Sequence, residues 1–301
     1  MKRALTSNVD FIDPTIGNAG QLLEPTRPTV QLPNQLIRVT PQRKDFHDDQ
    51  ISSFPLTIVS HRLGQVFSLK PAMGDITQNS WQVKMAYDHN LEINKPWHYE
   101  TYLIEDEITV DFTAGKKTGI YRFTFPEGKS KSLLLGVYNE GKSSFNFLSS
   151  KEITGVEIYH EDIKVFMYGV LNMDGTPGIV KNNQLQVTRN IEGTSAKAFI
   201  TFPASTKEVE FKYAISYISA EQAKRNYEKE ISNKSFQSTL EEGKMAWSSV
   251  MSQINVEGGT EGKKRRIWAI LIDQYCSFRS VGKVYANYHY LWTLSYLYVL
   301  S

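Results

Sequence analysis

His98-Tyr-Glu-Thr-Tyr-Leu-Ile-Glu-Asp-Glu-Ile-Thr-Val-Asp-Phe-Thr-Ala-Gly-Lys-Lys-Thr-Gly-Ile-Tyr-Arg-Phe-Thr-Phe125 decides the fold class. Apolar and polar residues alternate in three short runs, which we read as strands over His98–Ile104, Glu107–Ala114 and Gly119–Phe125. The connections are too short to hold a helix, so neighbouring strands run antiparallel. Outward from this core the same pattern predicts strands at Gln65–Lys70, Trp81–Tyr87, Ser132–Tyr138, Ile163–Val170, Ala196–Phe202 and Glu208–Ser216. Consecutive strands without intervening helices form sheets packed face to face, and the expected fold is mainly β, a large antiparallel β-sandwich over residues 9–217.

The period then changes from two to that of a helix. Ser219-Ala-Glu-Gln222 has the capping-box pattern, with Ile218 and Ala223 placed as a staple, and opens a helix to about Ile231. Ser238-Thr-Leu-Glu241 repeats the box, and Leu240, Trp247, Val250 and Ile254 share one face. Residues 218–257 are therefore a helical linker. In Val256-Glu-Gly-Gly-Thr-Glu-Gly-Lys-Lys-Arg-Arg-Ile-Trp268, Gly258-Gly259 ends the linker. Thr260-Glu261 restarts a helix over 258–280 with Ile267, Leu271, Tyr275 and Phe278 on one side. The tyrosine-rich run 281–301 lacks caps and a coherent face, and is read as an aberrant or disordered tail.

Lysine and arginine are interspersed with aspartate and glutamate, the net charge is +2 and the isoelectric point is near 8.4, so neither a nucleic-acid nor an anionic-membrane footprint stands out. The single cysteine, Cys276, rules out an internal disulfide and a cysteine metal cage. Met1-Lys-Arg-Ala-Leu-Thr-Ser-Asn has no apolar run behind it, so the sequence shows no secretory signal.

Gly136-Val-Tyr-Asn-Glu-Gly-Lys-Ser143 matches the phosphate-loop expression, but Ser144-Phe-Asn-Phe-Leu148 alternates and predicts a strand where that motif needs a helix. The six histidines show no helical zinc spacing. His61, at a strand junction, is the best functional candidate among them, followed by His98 beside Trp97. Trp81 and Trp97 could stack on a sugar ring, although such tryptophans usually fill cores. The acids of Asp48-Asp49 and Glu105-Asp106-Glu107 are sequence neighbours, whereas glycosidase chemistry needs two carboxylates facing each other across roughly 5–9.5 Å. Between Val9 and Asp49, five prolines follow Asp13, Glu24, Arg27, Leu32 and Thr40, marking an extended, wrapping segment dense in polar side chains.

Asp13-Pro-Thr-Ile-Gly17, Ser60-His61 ahead of Gly74-Asp75-Ile76, Tyr99-Glu-Thr-Tyr-Leu103, Val110-Asp-Phe-Thr-Ala114, Tyr121-Arg-Phe-Thr-Phe-Pro126, Ser216-Tyr-Ile-Ser-Ala-Glu-Gln-Ala223 and Val256-Glu-Gly-Gly-Thr-Glu261 occur in this order. Together they resemble the N-terminal domain and linker of glycoside hydrolase family 92, the calcium-dependent exo-acting α-mannosidases. The resemblance implies a sandwich, a helical linker, and then a barrel of paired helices carrying the general acid, the general base and the calcium ligands. On that view 258–280 is the barrel's first helix, and no calcium is expected on this chain. It further implies a mannose-containing glycan as partner and one wall of its pocket built from Glu24, Arg27, Gln31, Asp48, Asp49 and His61, of which only His61 lies in a matched motif. Where common members carry a glycine- and histidine-rich run, this chain has Gln21-Leu-Leu-Glu-Pro-Thr-Arg-Pro-Thr-Val-Gln-Leu-Pro33, as in a divergent branch.

The expected function is that of a glycosidase's N-terminal portion, inactive alone and able to self-associate through its exposed linker face. A frameshift or premature stop after Gln274 would account for the tail, and sequencing the locus tests this. The alternatives are a stand-alone carbohydrate-binding sandwich and an interaction partner recruiting a separate barrel.

Overall fold

The computed structural model describes residues 8–16, 27–45, 47–59, 64–159, 163–254 and 257–279, with side chains of the last helix described through Ala269 and at Leu271. The tail 281–301 and the side chains of Tyr275 and Phe278 lie outside what is described.

Nineteen strands form among the described residues. They are β1 (Val30–Gln31), β2 (Arg38–Val39), β3 (Gln50–Ile51), β4 (Phe54–Ile58), β5 (Gln65–Met73), β6 (Met85–Ala86), β7 (Ile93–Lys95), β8 (His98–Leu103), β9 (Ile108–Ala114) and β10 (Thr118–Thr124). The rest are β11 (Lys131–Gly136), β12 (Ser143–Phe147), β13 (Glu152–Tyr159), β14 (Ile163–Leu171), β15 (Thr176–Lys181), β16 (Gln184–Gln186), β17 (Asn190–Gly193), β18 (Ala198–Phe202) and β19 (Glu208–Ser216). A nine-stranded antiparallel sheet runs β17-β12-β13-β14-β19-β10-β9-β8-β7, and a six-stranded one β16-β15-β18-β11-β5-β4. Two-stranded ribbons pair β1 with β2 and β3 with β6.

The stretch that opened the sequence reading is the heart of the larger sheet, with Phe112 opposite Tyr121 and Tyr121 opposite Phe211. Their rings, with Phe54, Phe67, Phe123, Phe202 and Tyr213, fill the single large core between the sheets. Tyr121 and Tyr213 reach across and donate to the carbonyls of Pro55 and Leu56, each at 2.6 Å. These two bonds satisfy buried hydroxyls and fix how the sheets sit on each other. The sandwich expected from the alternation is therefore present.

On the outer face of the large sheet, α1 (Ala220–Glu230) buries Ala223 and Tyr227 against Ile120, Tyr168 and Ala214. Ser219 caps it, accepting from the Gln222 amide at 3.1 Å, as the capping-box pattern implies. Ile218, in contrast, is 75% exposed, so the staple is not made. Helix α2 (Phe236–Met251) starts three residues before the second box, capped by Ser235. The earlier start buries Phe236 in the α1 cluster, and that burial outweighs the cap preference of Ser238. Leu240, Trp247, Val250 and Ile254 do share one apolar cluster, joined by Met251, Leu32, Trp97, Val9, Ile12 and Trp268. In α3 (Glu261–Arg279) Trp268 takes the buried position and Ile267 is exposed.

Two strand expectations need correction or confirmation. Trp81–Tyr87 is mostly not strand: Gln78–Trp81 is a 3-10 turn capped by Thr77, with only Met85–Ala86 pairing. The Thr77 hydroxyl accepts from the Asn79 amide at 3.3 Å and the Ser80 hydroxyl accepts from the Thr77 amide at 2.9 Å, a local alternative to a ladder. After the phosphate-loop match, Ser143–Phe147 is a strand between β13 and β17, so no helix N-terminus follows. No helix among the described residues is long and apolar enough to cross a membrane.

Candidate functional site

The described parts of the proline-rich segment pack along the sandwich. Pro28, Pro33 and Pro41 are buried, and the β1–β2 ribbon turns at Asn34, whose φ of 60° suits an asparagine. Gln31 is the clasp of this segment. Its amide donates to Pro96 O at 2.9 Å, its carbonyl accepts the Trp247 indole N–H at 3.0 Å, and its side-chain Nε2 donates to Gln35 O at 3.3 Å. The residue is 1% exposed and its Oε1 is buried without a hydrogen-bond partner, so this side chain lies within the packing. Arg27 is half-buried at the segment's start. Glu24 and His61 lie outside the described residues.

Asp48 and Asp49 come together on an acidic turn. Asp45 accepts from the His47 amide at 2.9 Å. Asp48 accepts from the Lys44 amide at 2.9 Å with one carboxylate oxygen and from the Gln50 amide at 3.2 Å with the other. Both Asp48 oxygens are thus spent on shaping the turn, with Lys84 Nζ 4.0 Å away. The Asp49 carboxylate is exposed and has no partner among the described residues. Its backbone carbonyl accepts the Tyr87 amide at 3.1 Å, and the Asp48 carbonyl accepts the Tyr87 hydroxyl at 2.8 Å.

Beneath the turn lies a closed network. Arg43 donates to Tyr87 Oη and to Glu92 at 3.2 Å, in an ion pair whose side chains are 4% and 1% exposed. Glu92 also accepts from Tyr99 Oη at 2.6 Å and Asn94 Nδ2 at 3.4 Å, and His89 Nδ1 lies 3.3 Å from it. Burial opposes the Arg43 charge, but Glu92, Tyr87 and Tyr99 together outweigh it and hold the guanidinium above its ordinary value. Burial likewise raises the Tyr87 and Tyr99 hydroxyls, helped for both by Glu92. Every member is engaged, so the network positions the turn. Tyr87 and Glu92 were not linked to Arg43 from sequence, because they stand 44 and 49 residues from it and only burial makes them a unit.

A second cluster lies on the outer face of the large sheet. His98 Nε2 is 3.0 Å from Asp111 Oδ1, and Arg122 reaches Asp111 Oδ2 at 3.1 Å through NH2 and 3.3 Å through Nε. Burial raises the Glu100 carboxyl, helped by its hydrogen bond with Asp111. Burial opposes charge on Asp111 too, but His98 and Arg122 outweigh it and hold that carboxyl below its ordinary value.

A third group lies beside the start of β5. Glu157 is fully buried and accepts the amides of Phe67 at 2.5 Å and of Tyr138 and Asn139 at 2.8 Å each, plus Asn139 Nδ2 at 2.6 Å. Phe67 has φ +54°, a conformation costly for a bulky residue and held here by that bond. Of the two tryptophans, Trp97 is buried in the linker cluster, and Trp81 donates to Leu135 O at 2.9 Å while packing edge-on to Phe199.

The model of the glycosyl hydrolase family 92 N-terminal domain matches residues 11–216. Among solved structures, the family GH92 inverting mannosidase of Bacteroides thetaiotaomicron superposes with a TM-score of 0.83 at 18% identity, covering 91% of this chain and 40% of its own. A gh92 family glycosyl hydrolase gives 0.80 at 18% identity over 89% and 41%. A family GH92 α-mannosidase of Bacteroides thetaiotaomicron, solved with mannoimidazole, gives 0.79 at 18% identity over 87% and 39%. The chain thus spans about 40% of the length of these relatives. A search of curated proteins returned no match.

Proposed function

The chain belongs to glycosyl hydrolase family 92 through its N-terminal domain, and from that membership we propose that it supplies one wall of a mannoside pocket in a glycosidase. The observation that carries the reading is the acidic turn 45–49, shaped by its own aspartates, anchored through Tyr87 and presenting Asp49 to solvent. A carboxylate held on a rigid loop suits a pair of sugar hydroxyls, which donate to it at little ordering cost.

Inverting hydrolysis takes a general acid and, about 6.5–9.5 Å away, a carboxylate that activates water. Asp48 is committed to backbone amides and Asp49 is its neighbour, so the turn serves binding and orientation. In this proposal the acid and the base come from outside the β domain. Calcium, which the family resemblance implies, takes 6–8 oxygen ligands. The described residues do not assemble such a shell, since Asp48 is spent and the His98 cluster offers two carboxylates and a nitrogen. No step here is routed through calcium.

Calorimetric titration of the purified chain with mannoimidazole tests the reading. Binding is expected, and Asp49→Ala is expected to weaken it about 10- to 100-fold, the worth of one or two charge-assisted hydrogen bonds. Binding left unchanged by Asp49→Ala would remove the turn from the pocket. Absence of binding in the folded wild type would remove the sugar-facing role.

A further inference from the structure

We propose that His98, Glu100 and Asp111 form a binding site for one divalent transition-metal cation, with zinc the best chemical fit, beneath the first turn of α2.

Strand geometry makes the site. His98 and Glu100 are two apart on β8 and so project from the same face, and Asp111 on β9 is the direct cross-strand partner of Glu100. One donor atom from each of the three lies within 4.8 Å of the others. A tetrahedral zinc ion with bonds of about 2.0–2.1 Å spaces its donors about 3.3–3.4 Å apart. The 3.0 Å between His98 Nε2 and Asp111 Oδ1 is already close to that spacing.

Charge points the same way. Two carboxylates face one permanent cation, Arg122, with Glu210 opposite Arg122 on the neighbouring strand adding a further acid. Lys212 Nζ is turned to Lys234 O at 2.6 Å. Among the described residues, His98, Glu100 and Asp111 therefore share Arg122 in a setting that α2 helps to close. Phe236 packs edge-on to the His98 ring at 6.1 Å and under the Arg122 guanidinium at 4.1 Å. Arg122 engages Asp111 Oδ2, so an ion would enter between Oδ1 and His98 Nε2, 3.0 Å apart, with Arg122 orienting the ligating carboxylate. One nitrogen and two oxygens suit zinc and disfavour calcium, which wants more oxygens. A bound ion would tie β8 to β9 directly under the start of the linker helix.

The test is calorimetry on the chelator-treated full chain with zinc chloride and, separately, calcium chloride, on wild type, His98→Gln and Glu100→Gln. One zinc per chain is expected, weakened at least 10-fold in each variant, with no comparable calcium binding. Cobalt added to the wild type gives a readout independent of any variant's folding: intense visible bands of tetrahedral type, abolished by zinc. No zinc binding to the folded wild type, zinc binding undiminished in both variants, or a weak octahedral-type cobalt spectrum would overturn the proposal, as would calcium binding as strong as zinc.

Discussion

Replacing Glu157 with alanine is expected to lower the unfolding free energy by about 3–5 kcal/mol, since it removes four hydrogen bonds to one carboxyl group, each worth about 1.5–3 kcal/mol before relaxation. The carboxylate is the acceptor for four N–H groups from three residues. Its loss removes the acceptor of all four and leaves the fully buried Phe67 amide unsatisfied, and such a buried group costs about 1–3 kcal/mol before relaxation. The damage should be local as well as global. Phe67 has left its unusual φ without a bond to hold it, and Asn139, which also donates to Gln65 O at 3.0 Å, loses its anchor. Urea denaturation measures the first effect. Hydrogen exchange of the Phe67 and Tyr138 amides measures the second. A loss under 1 kcal/mol would mean that the corner is held by packing alone. The pH dependence has a definite sign. Burial raises the Glu157 carboxyl above its unfolded value despite its donors. Its titration therefore contributes stability that is full below the unfolded value near 4.5 and is lost as pH rises through the folded one. Glu157→Gln removes that slope.

Arg43→Ala is expected to cost a similar 3–5 kcal/mol, because it leaves the Glu92 carboxylate buried without its cation. The double variant Arg43→Ala, Glu92→Ala should lose clearly less than the sum of the single changes, with a coupling of about 1–3 kcal/mol. A structural network with no tie to the turn would show the stability loss alone. If the network positions the acidic turn, Arg43→Met/Glu92→Leu, which keeps apolar volume in the core, should restore most stability yet weaken mannoimidazole binding. Restored stability with unchanged binding would separate the network from the pocket.

The sandwich was legible because residues 98–125 alternate cleanly, and alternation is what half-buried strands require. Strands buried on both faces, such as Phe54–Ile58, give no alternation to find, and the strand order of the two sheets depends on pairings far apart in sequence. Trp81–Tyr87 looked like a strand because its aromatic and β-branched residues fit one, while the Thr77–Ser80 cap that makes a 3-10 turn is a short-range signal. The start of α2 was misplaced because two serines three residues apart both cap well, and only burial of Phe236 chooses between them. Of the candidate site residues, Asp48 and Asp49 stand on one turn, Gln31 is enclosed beside Trp247 and Arg27 is half-buried. Arg43 and Glu92 carry no local pattern at all, since their meaning arises from a contact spanning 49 residues.

The central claim is that this domain meets a mannoside through the acidic turn. Amide hydrogen exchange across the chain, with and without saturating mannoimidazole, tests it most directly, because it reports where the ligand sits. Slowed exchange is expected over residues 41–51 and over Tyr87, whose amide and hydroxyl anchor the turn. Protection confined to another surface, such as the polar cleft between Val180 and Lys197, or no protection in the folded chain, would contradict it.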